Sequence, residues 1–182
     1  QAVAGMTQSS DNGAVSRLPS LCSREVPMLA IKTILIPTDF SEASETALKY
    51  AKALAEAFGS SLHLVHVMED LLAHAWAAEV FVASMPSLRE EIEKEATARL
   101  GVMVTDEERQ RMRVRTAIIE GSPFLEIIRY ARAHEVDLIV LGSHGRGPIA
   151  HMLLGSVAEK VVRKSPCPVL TVRPAQHEFV MP

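Results

Sequence analysis

The stretch that most constrains this chain begins at Val136. Val136-Asp137-Leu138-Ile139-Val140 is a short apolar run of the length a buried strand needs. Leu141-Gly142-Ser143-His144-Gly145-Arg146-Gly147-Pro148 follows, and Leu154-Gly155-Ser156-Val157 then leads into a segment ending at Lys164 with apolar residues at helical spacing. A strand running through a glycine-rich loop into a helix presents unpaired backbone N–H groups and a positive dipole end at that loop. Such an end suits an anion, and glycines let the backbone approach a phosphate closely. The Ser156 hydroxyl adds a donor and Arg146 a cation. These residues imply a phosphate site.

The same alternation precedes it. Ile31–Pro37 reads as a buried parallel strand closed by Pro37-Thr38-Asp39. Ala43, Ala47, Leu48, Ala51, Leu54, Ala55 and Phe58 then mark a helix stopped by Gly59, and Leu62–Val67 is a second strand. Tight joints of this kind imply a right-handed strand–helix–strand unit. Met68–Met85 is apolar without a firm period and is expected to be a loop with a helical start, packed over the sheet. Ser87 and Glu90 are placed as a capping box for a helix buried along Leu88, Ile92, Ala96 and Leu100. The run Glu90, Glu91, Glu93 and Glu95 is then its solvated face. Met112–Ile119 reads as a third strand, and Gly121-Ser122-Pro123 as a turn, an N-cap and a first helical residue for a helix reaching about His134. Pro166 and Pro168 end the last helix and leave Val169–Arg173 as an edge strand. The expected fold class is α/β: an open, mainly parallel sheet with helices on both faces.

At 182 residues and 48% hydrophobic content, the chain suits one folded domain. A net charge of −3 and 4% aromatics disfavour nucleic acid as a partner. Cys22 and Cys167 form neither metal spacing nor a disulfide framework, so a reduced, cytoplasmic setting is the expectation. No apolar run is long enough to predict a membrane span. Gln1–Pro27 is expected to be an extension outside the domain, which would occupy 28–175, with 176–182 a loose end.

The glycine loop fits neither the Walker pattern nor the dinucleotide fingerprint. Its spacing, Gly142-x2-Gly145-x9-Gly155-Ser156, resembles the nucleotide-binding signature of the universal stress protein family in its ATP-binding branch. Ile34-Leu35-Ile36-Pro37-Thr38-Asp39-Phe40-Ser41 resembles that family's first strand and acidic tip, His66-Val67 the end of its second strand, and Ser165-Pro166-Cys167-Pro168-Val169-Leu170-Thr171-Val172 its closing strand. The likeness covers about Met28 to Arg173.

The resemblance implies a Rossmann-like five-stranded sheet of order 3-2-1-4-5, with a ligand crevice where the order reverses between the first and fourth strands. It implies ATP, with ADP or AMP as alternatives and Mg²⁺ accompanying ATP. Adenine would lie near Val67, ribose at Asp39 and Gly142, and phosphates on Gly145, Gly155, Ser156 and Val157. Pro37, Thr38, Leu141, His144 and Arg146 complete the expected site. It further implies a homodimer through Val169, Leu170, Thr171 and Val172, and a stress-response role towards a protein partner the sequence does not name.

Plainer readings stand beside these. Asp39 with Glu42 also fits a helix cap, and Val67 a plain strand end. His144 reads equally as an exposed loop histidine, Arg146 as a surface cation, and His66 has no ligand cluster around it. No residue is assigned as catalytic and no metal site is expected. Slow ATP hydrolysis or phosphoryl transfer in the same pocket is one alternative function, though no residue is evident to orient an attacking water. A structural dimer with an empty crevice is the other.

Overall fold

Ile34, Leu35 and Ile36 are all fully buried, so both faces of the strand that carries them are covered. In the computed structural model, which describes residues 30–69, 85–145 and 154–173, this strand is β1 (Thr33–Thr38) at the middle of a five-stranded sheet. The order is β3-β2-β1-β4-β5, formed with β2 (Ser61–Met68), β3 (Arg115–Glu120), β4 (Leu138–Gly142) and β5 (Val169–Val172). Every pairing is parallel.

Alternation along β1 divides the core. Ile34 and Ile36 join Leu62, Leu64 and Val140 under α1 (Glu42–Phe58) and α2 (Met85–Val102). Leu35 joins Val65, Ile139 and Leu141 under α4 (Pro123–Ala133) and α5 (Ser156–Lys164). Ala43, Ala47, Ala51 and Ala55 recur every fourth residue of α1, and this smooth stripe lets the helix lie close on the sheet. Ser41 caps α1 by accepting from the Ser44 amide, and Gly59, at φ 67°, closes it with its N–H on the Ala55 carbonyl.

Pro37 shapes the sheet at its centre. The Thr33 carbonyl accepts from Asp137 N at 3.0 Å, so Thr33, Leu35 and Pro37 turn their backbone groups towards β4. Pro37 has no N–H to give. Pairing of β1 with β4 accordingly stops at Leu35–Ile139, whereas pairing with β2 continues to Thr38–His66. The sheet therefore parts between β1 and β4 at their carboxyl ends.

Several expectations need correction. The helix that Ser87 was expected to cap begins at Met85, so Ser87 lies inside α2 rather than at its N-cap. Leu88 on that helix is exposed, while Ala96 and Leu100 are buried. Phe58, the last residue of α1, is 47% exposed rather than part of its buried face. The strand expected over Met112–Ile119 is shorter at its start: α3 (Asp106–Arg111) precedes it, with a Thr105–Glu108 capping box. Ser122 stands at the N-cap of α4 as expected, but makes no side-chain capping bond there. The expected extension over 1–27, the loose end over 176–182, and the loop after Glu69 up to Ser84 lie outside the described residues. Among the described residues no helix is long and apolar enough to cross a membrane.

Two consequences can be measured. A Cβ on Gly142 would sit 2.8 Å from the Ala43 carbonyl carbon and 2.9 Å from its Cβ. Gly142→Ala must push α1 off the sheet and should lower stability by about 1–3 kcal/mol in urea unfolding. His63, only 5% exposed, is the second. Burial, then Arg115 and His134 beside it, hold its pKa at about 4 rather than 6.5. The unfolded chain takes up this proton between those values and the folded chain does not, so acidification favours unfolding there. Stability should rise with pH from about 4 to 6.5, and His63→Gln should flatten that part of the profile.

Candidate functional site

The gap between β1 and β4 gathers residues from three distant parts of the chain. Asp39 follows β1 directly. Its Oδ1 accepts from Ser41 N at 3.1 Å and from Ser41 Oγ at 2.6 Å, an Asx turn that fixes the carboxylate. The N-cap of α1 is Ser41, so Asp39 is not the cap that its spacing to Glu42 allowed. The second oxygen faces the glycine loop: a Cβ on Gly145 would lie 2.8 Å from Asp39 Oδ2.

The loop is tied to the sheet and to α5 through Ser143. This buried residue donates its N–H to the Val172 carbonyl at 2.8 Å, and its own carbonyl accepts from Gly155 N at 2.7 Å. A Cβ on Gly155 would stand 3.4 Å from His144 Cα and 3.7 Å from Gly145 N. Asp39, Gly145 and Gly155 are thus contiguous, although Asp39 and Gly155 are far apart in sequence.

The start of α5 is the site's main electrostatic feature. Gly155 is the N-cap and supplies no side-chain bond, whereas Ser41 and Thr105 cap α1 and α3. The first intrahelical bond is Glu159 N to the Gly155 carbonyl at 2.8 Å. The amides of Ser156, Val157 and Ala158 therefore have no acceptor within the helix and lie at its positive end. The cradle fits an anionic group that approaches backbone rather than side chains.

Phe40 holds the other wall, and nothing in the sequence singled it out. Its φ of 62° is rare for a bulky side chain and costs on the order of 1–3 kcal/mol. Three contacts hold it: Phe40 N donates to Thr38 Oγ1 at 3.0 Å, its ring centroid is 4.4 Å from that of His66, and the Arg99 guanidinium lies 4.3 Å from the ring centre. His66 Nδ1 is 2.8 Å from the Thr38 carbonyl, which can only accept, so that nitrogen carries the proton.

The other expected site residues fall on this frame with differing surfaces. Thr38 and Leu141 are buried, the Thr38 hydroxyl being 3.1 Å from Ser44 Oγ, so both offer a ligand backbone at most. Val67 and Val157 likewise pack their side chains on the core. Pro37 is half-buried beneath the gap and Ser156 is exposed at the start of α5. His144 is half-buried rather than a freely exposed loop histidine, with Nδ1 2.9 Å from Ser143 Oγ. Arg146 lies outside the described residues. Ser41, Ser44 and Ser143 were missed; only the Asp39-x-Ser41 spacing carried a turn signal that could have found one of them. Among the described residues no group of three or more His, Cys, Asp or Glu side chains could hold a metal ion.

Comparison with known proteins agrees with this architecture. The model of the universal stress protein family matches residues 30–173. A universal stress protein of Methanocaldococcus jannaschii is 35% identical over 159 residues, spanning 78% of this chain and 94% of the relative. The solved universal stress protein UspA from Lactobacillus plantarum superposes with a TM-score of 0.65 at 30% identity, over 79% of this chain and 98% of that one. A universal stress protein crystallised in complex with cAMP superposes with a TM-score of 0.52 at 26% identity, over 80% of this chain and 99% of that one. Sheet order, extent of match and identity agree: this chain belongs to the universal stress protein family.

Proposed function

We propose that the crevice between β1 and β4 binds an adenine nucleotide, ATP foremost, and that occupancy is the signal of a stress-response module. The observation that carries this reading is the glycine-capped start of α5 set near Asp39, with Gly145 adjoining both. Phosphate oxygens would accept from the Ser156, Val157 and Ala158 amides, each charge-assisted bond contributing about 1.5–3 kcal/mol. Asp39, with one oxygen held by Ser41 and the other towards the loop, suits a ribose diol. The backbone of Val67 at the end of β2 would flank adenine, and Gly142 and His144 would line the ribose and phosphate path. A family member crystallised with cAMP supports an adenine nucleotide as the ligand class. ADP or AMP would use the same contacts, and Mg²⁺ would accompany ATP by neutralising phosphate charge.

Homodimerisation through β5 completes the proposal. That strand pairs with β4 on one side and is the end of the sheet order, so its other edge can accept a second copy. Leu170 is 37% exposed on this strand, with Val169 and Thr171 half-buried, while Val172 is already in the core and would contribute backbone alone.

Titration calorimetry with ATP tests the site. Gly155→Val adds branches where a bare Cβ already reaches 3.4 Å contacts, and should abolish measurable binding while the chain stays folded. Asp39→Ala should weaken binding roughly 10- to 100-fold through the lost charged hydrogen bonds. Unchanged affinity in both variants would place the nucleotide elsewhere. Bound ligand should also raise thermal stability in proportion to the logarithm of its concentration, by mass action.

A further inference from the structure

The opposite end of the sheet carries a second cavity. It lies at the amino ends of β1, β2 and β3, has a volume of about 950 Å³, and is lined by Lys32, His63, Arg113, Arg115, His134 and Glu135 among others. It shares no lining residue with the crevice at the carboxyl ends.

Its lining carries more cationic than acidic side chains. Arg113 donates to the Gly59 carbonyl at 2.8 Å and so answers the negative end of α1. Among the described residues, Lys32, Arg113 and Arg115 form no ion pair with a carboxylate. The acid on the lining is Glu135, against these three cations. The Asp137 carboxylate behind the lining accepts from the Lys32 and Thr33 amides at 2.8 and 2.9 Å, so it engages backbone and leaves the side-chain donors of Lys32 and Arg115 without a carboxylate partner among the described residues.

The floor is a polar group turned to the cavity. His63 takes Tyr130 Oη on Nδ1 at 3.2 Å, and its ring meets those of Tyr130 and His134 edge-on at 5.8 and 5.6 Å. Among the described residues no buried side-chain nitrogen or oxygen lacks a partner. The second His63 nitrogen has no bonded partner and is therefore not fully buried, on a ring that lines the cavity.

Backbone strain is concentrated at the same place. Arg113 and Glu135 both sit at φ 47°, directly after the C-caps of α3 and α4, where glycine would be relaxed. With Phe40 they are the positive-φ non-glycine residues of the described chain. Two charged side chains are kept where a turn alone would favour none, and both line this cavity.

We propose that this basal cavity is a second binding site, distinct from the nucleotide crevice, for a small phosphomonoester. Its phosphate dianion would lie between Lys32, Arg115 and the open nitrogen of His63, in bonds of the charge-assisted kind. Ile31 and the exposed Phe58 ring, also on the lining, would cover the apolar part of the ester. An anion seated there favours the imidazolium form of His63 against its burial and the opposing charges of Arg115 and His134, with Lys32, Arg113, Glu135 and Tyr130 as the remaining groups around it. For a dianion that keeps its charge, binding therefore takes up a proton and strengthens as pH falls.

Calorimetry on the full chain, saturated with ATP to fill the other site, tests this with phenyl phosphate and sulfate as probes. Phenyl phosphate should bind about tenfold more tightly than sulfate, because it also buries its ring. The double variant Lys32→Gln/Arg115→Gln should lose about tenfold or more in affinity for phenyl phosphate. Gly155→Val, assayed without ATP, should retain it. Sulfate stays a dianion throughout, and its affinity should rise from pH 7.5 to pH 5.5 and lose that rise in His63→Gln. No heat with either probe at millimolar concentration would overturn the proposal. So would equal affinity for the two probes, binding unaffected by Lys32→Gln/Arg115→Gln, or binding lost in Gly155→Val.

Discussion

One missing hydrogen-bond donor organises the upper half of this molecule. Pro37 stands in the central strand, with its backbone turned to β4, and cannot extend the ladder beyond Leu35–Ile139. A proline inside a central strand is ordinarily costly. Here the two neighbours separate just where their carboxyl ends deliver Asp39 and Ser143. Gly142 then allows the first turn of α1 to close against β4, a packing that any Cβ would obstruct. The crevice is thus made by backbone chemistry before any polar side chain enters it. That order explains why the residues around it mix buried structural groups, such as Thr38 and Leu141, with backbone donors.

The balance of helix ends follows from the same geometry. Ser41 and Thr105 spend their side chains on the starts of α1 and α3, but α5 begins at a glycine that cannot. A glycine in place of a side-chain cap costs only about a few tenths of a kcal/mol of helix stability. An anion at the Ser156–Ala158 amides would supply the missing acceptor, so site and stability are linked. On the far side of the sheet the helices end rather than begin, and cations gather there for the complementary reason. Lys32 and Arg115 there have no carboxylate partner among the described residues, which is the basis for a second anion site at that pole.

Most of the architecture was legible because buried parallel strands need continuous apolar runs and this chain has them in clear alternation with helices. Ile34–Ile36 and Leu138–Leu141 are such runs, Leu62–Val65 is one interrupted by the buried His63, and the apolar residues of all three are core. The glycine loop was legible as the lead into a helix because its spacing brackets the start of α5. What escaped had no local signature. Helix α3 is wholly polar, Asp106–Arg111, and is anchored by a residue just outside it, the buried Met112. The start of α2 was misplaced because Ser87 and Glu90 have the spacing of a cap wherever they stand. The ring of Phe40, on its strained backbone, is met by Arg99 and His66 from two other elements, which no local pattern announces. The contact of Gly145 with Asp39 spans most of the domain, and its shape could be anticipated only through family likeness. The basal cavity depends on turns after α3 and α4, and single-residue turn geometry is not visible in composition.

The most direct test of the account is where a nucleotide perturbs the backbone. In an amide-resolved NMR titration of the full chain with ATP, shifts should concentrate at Asp39, Phe40, Gly142–Gly145 and Gly155–Val157. The amides of Lys32, Arg113 and Glu135 at the opposite pole should remain still. Shifts confined to the opposite pole, or none at saturating ATP, would contradict a nucleotide site at the parting of β1 and β4.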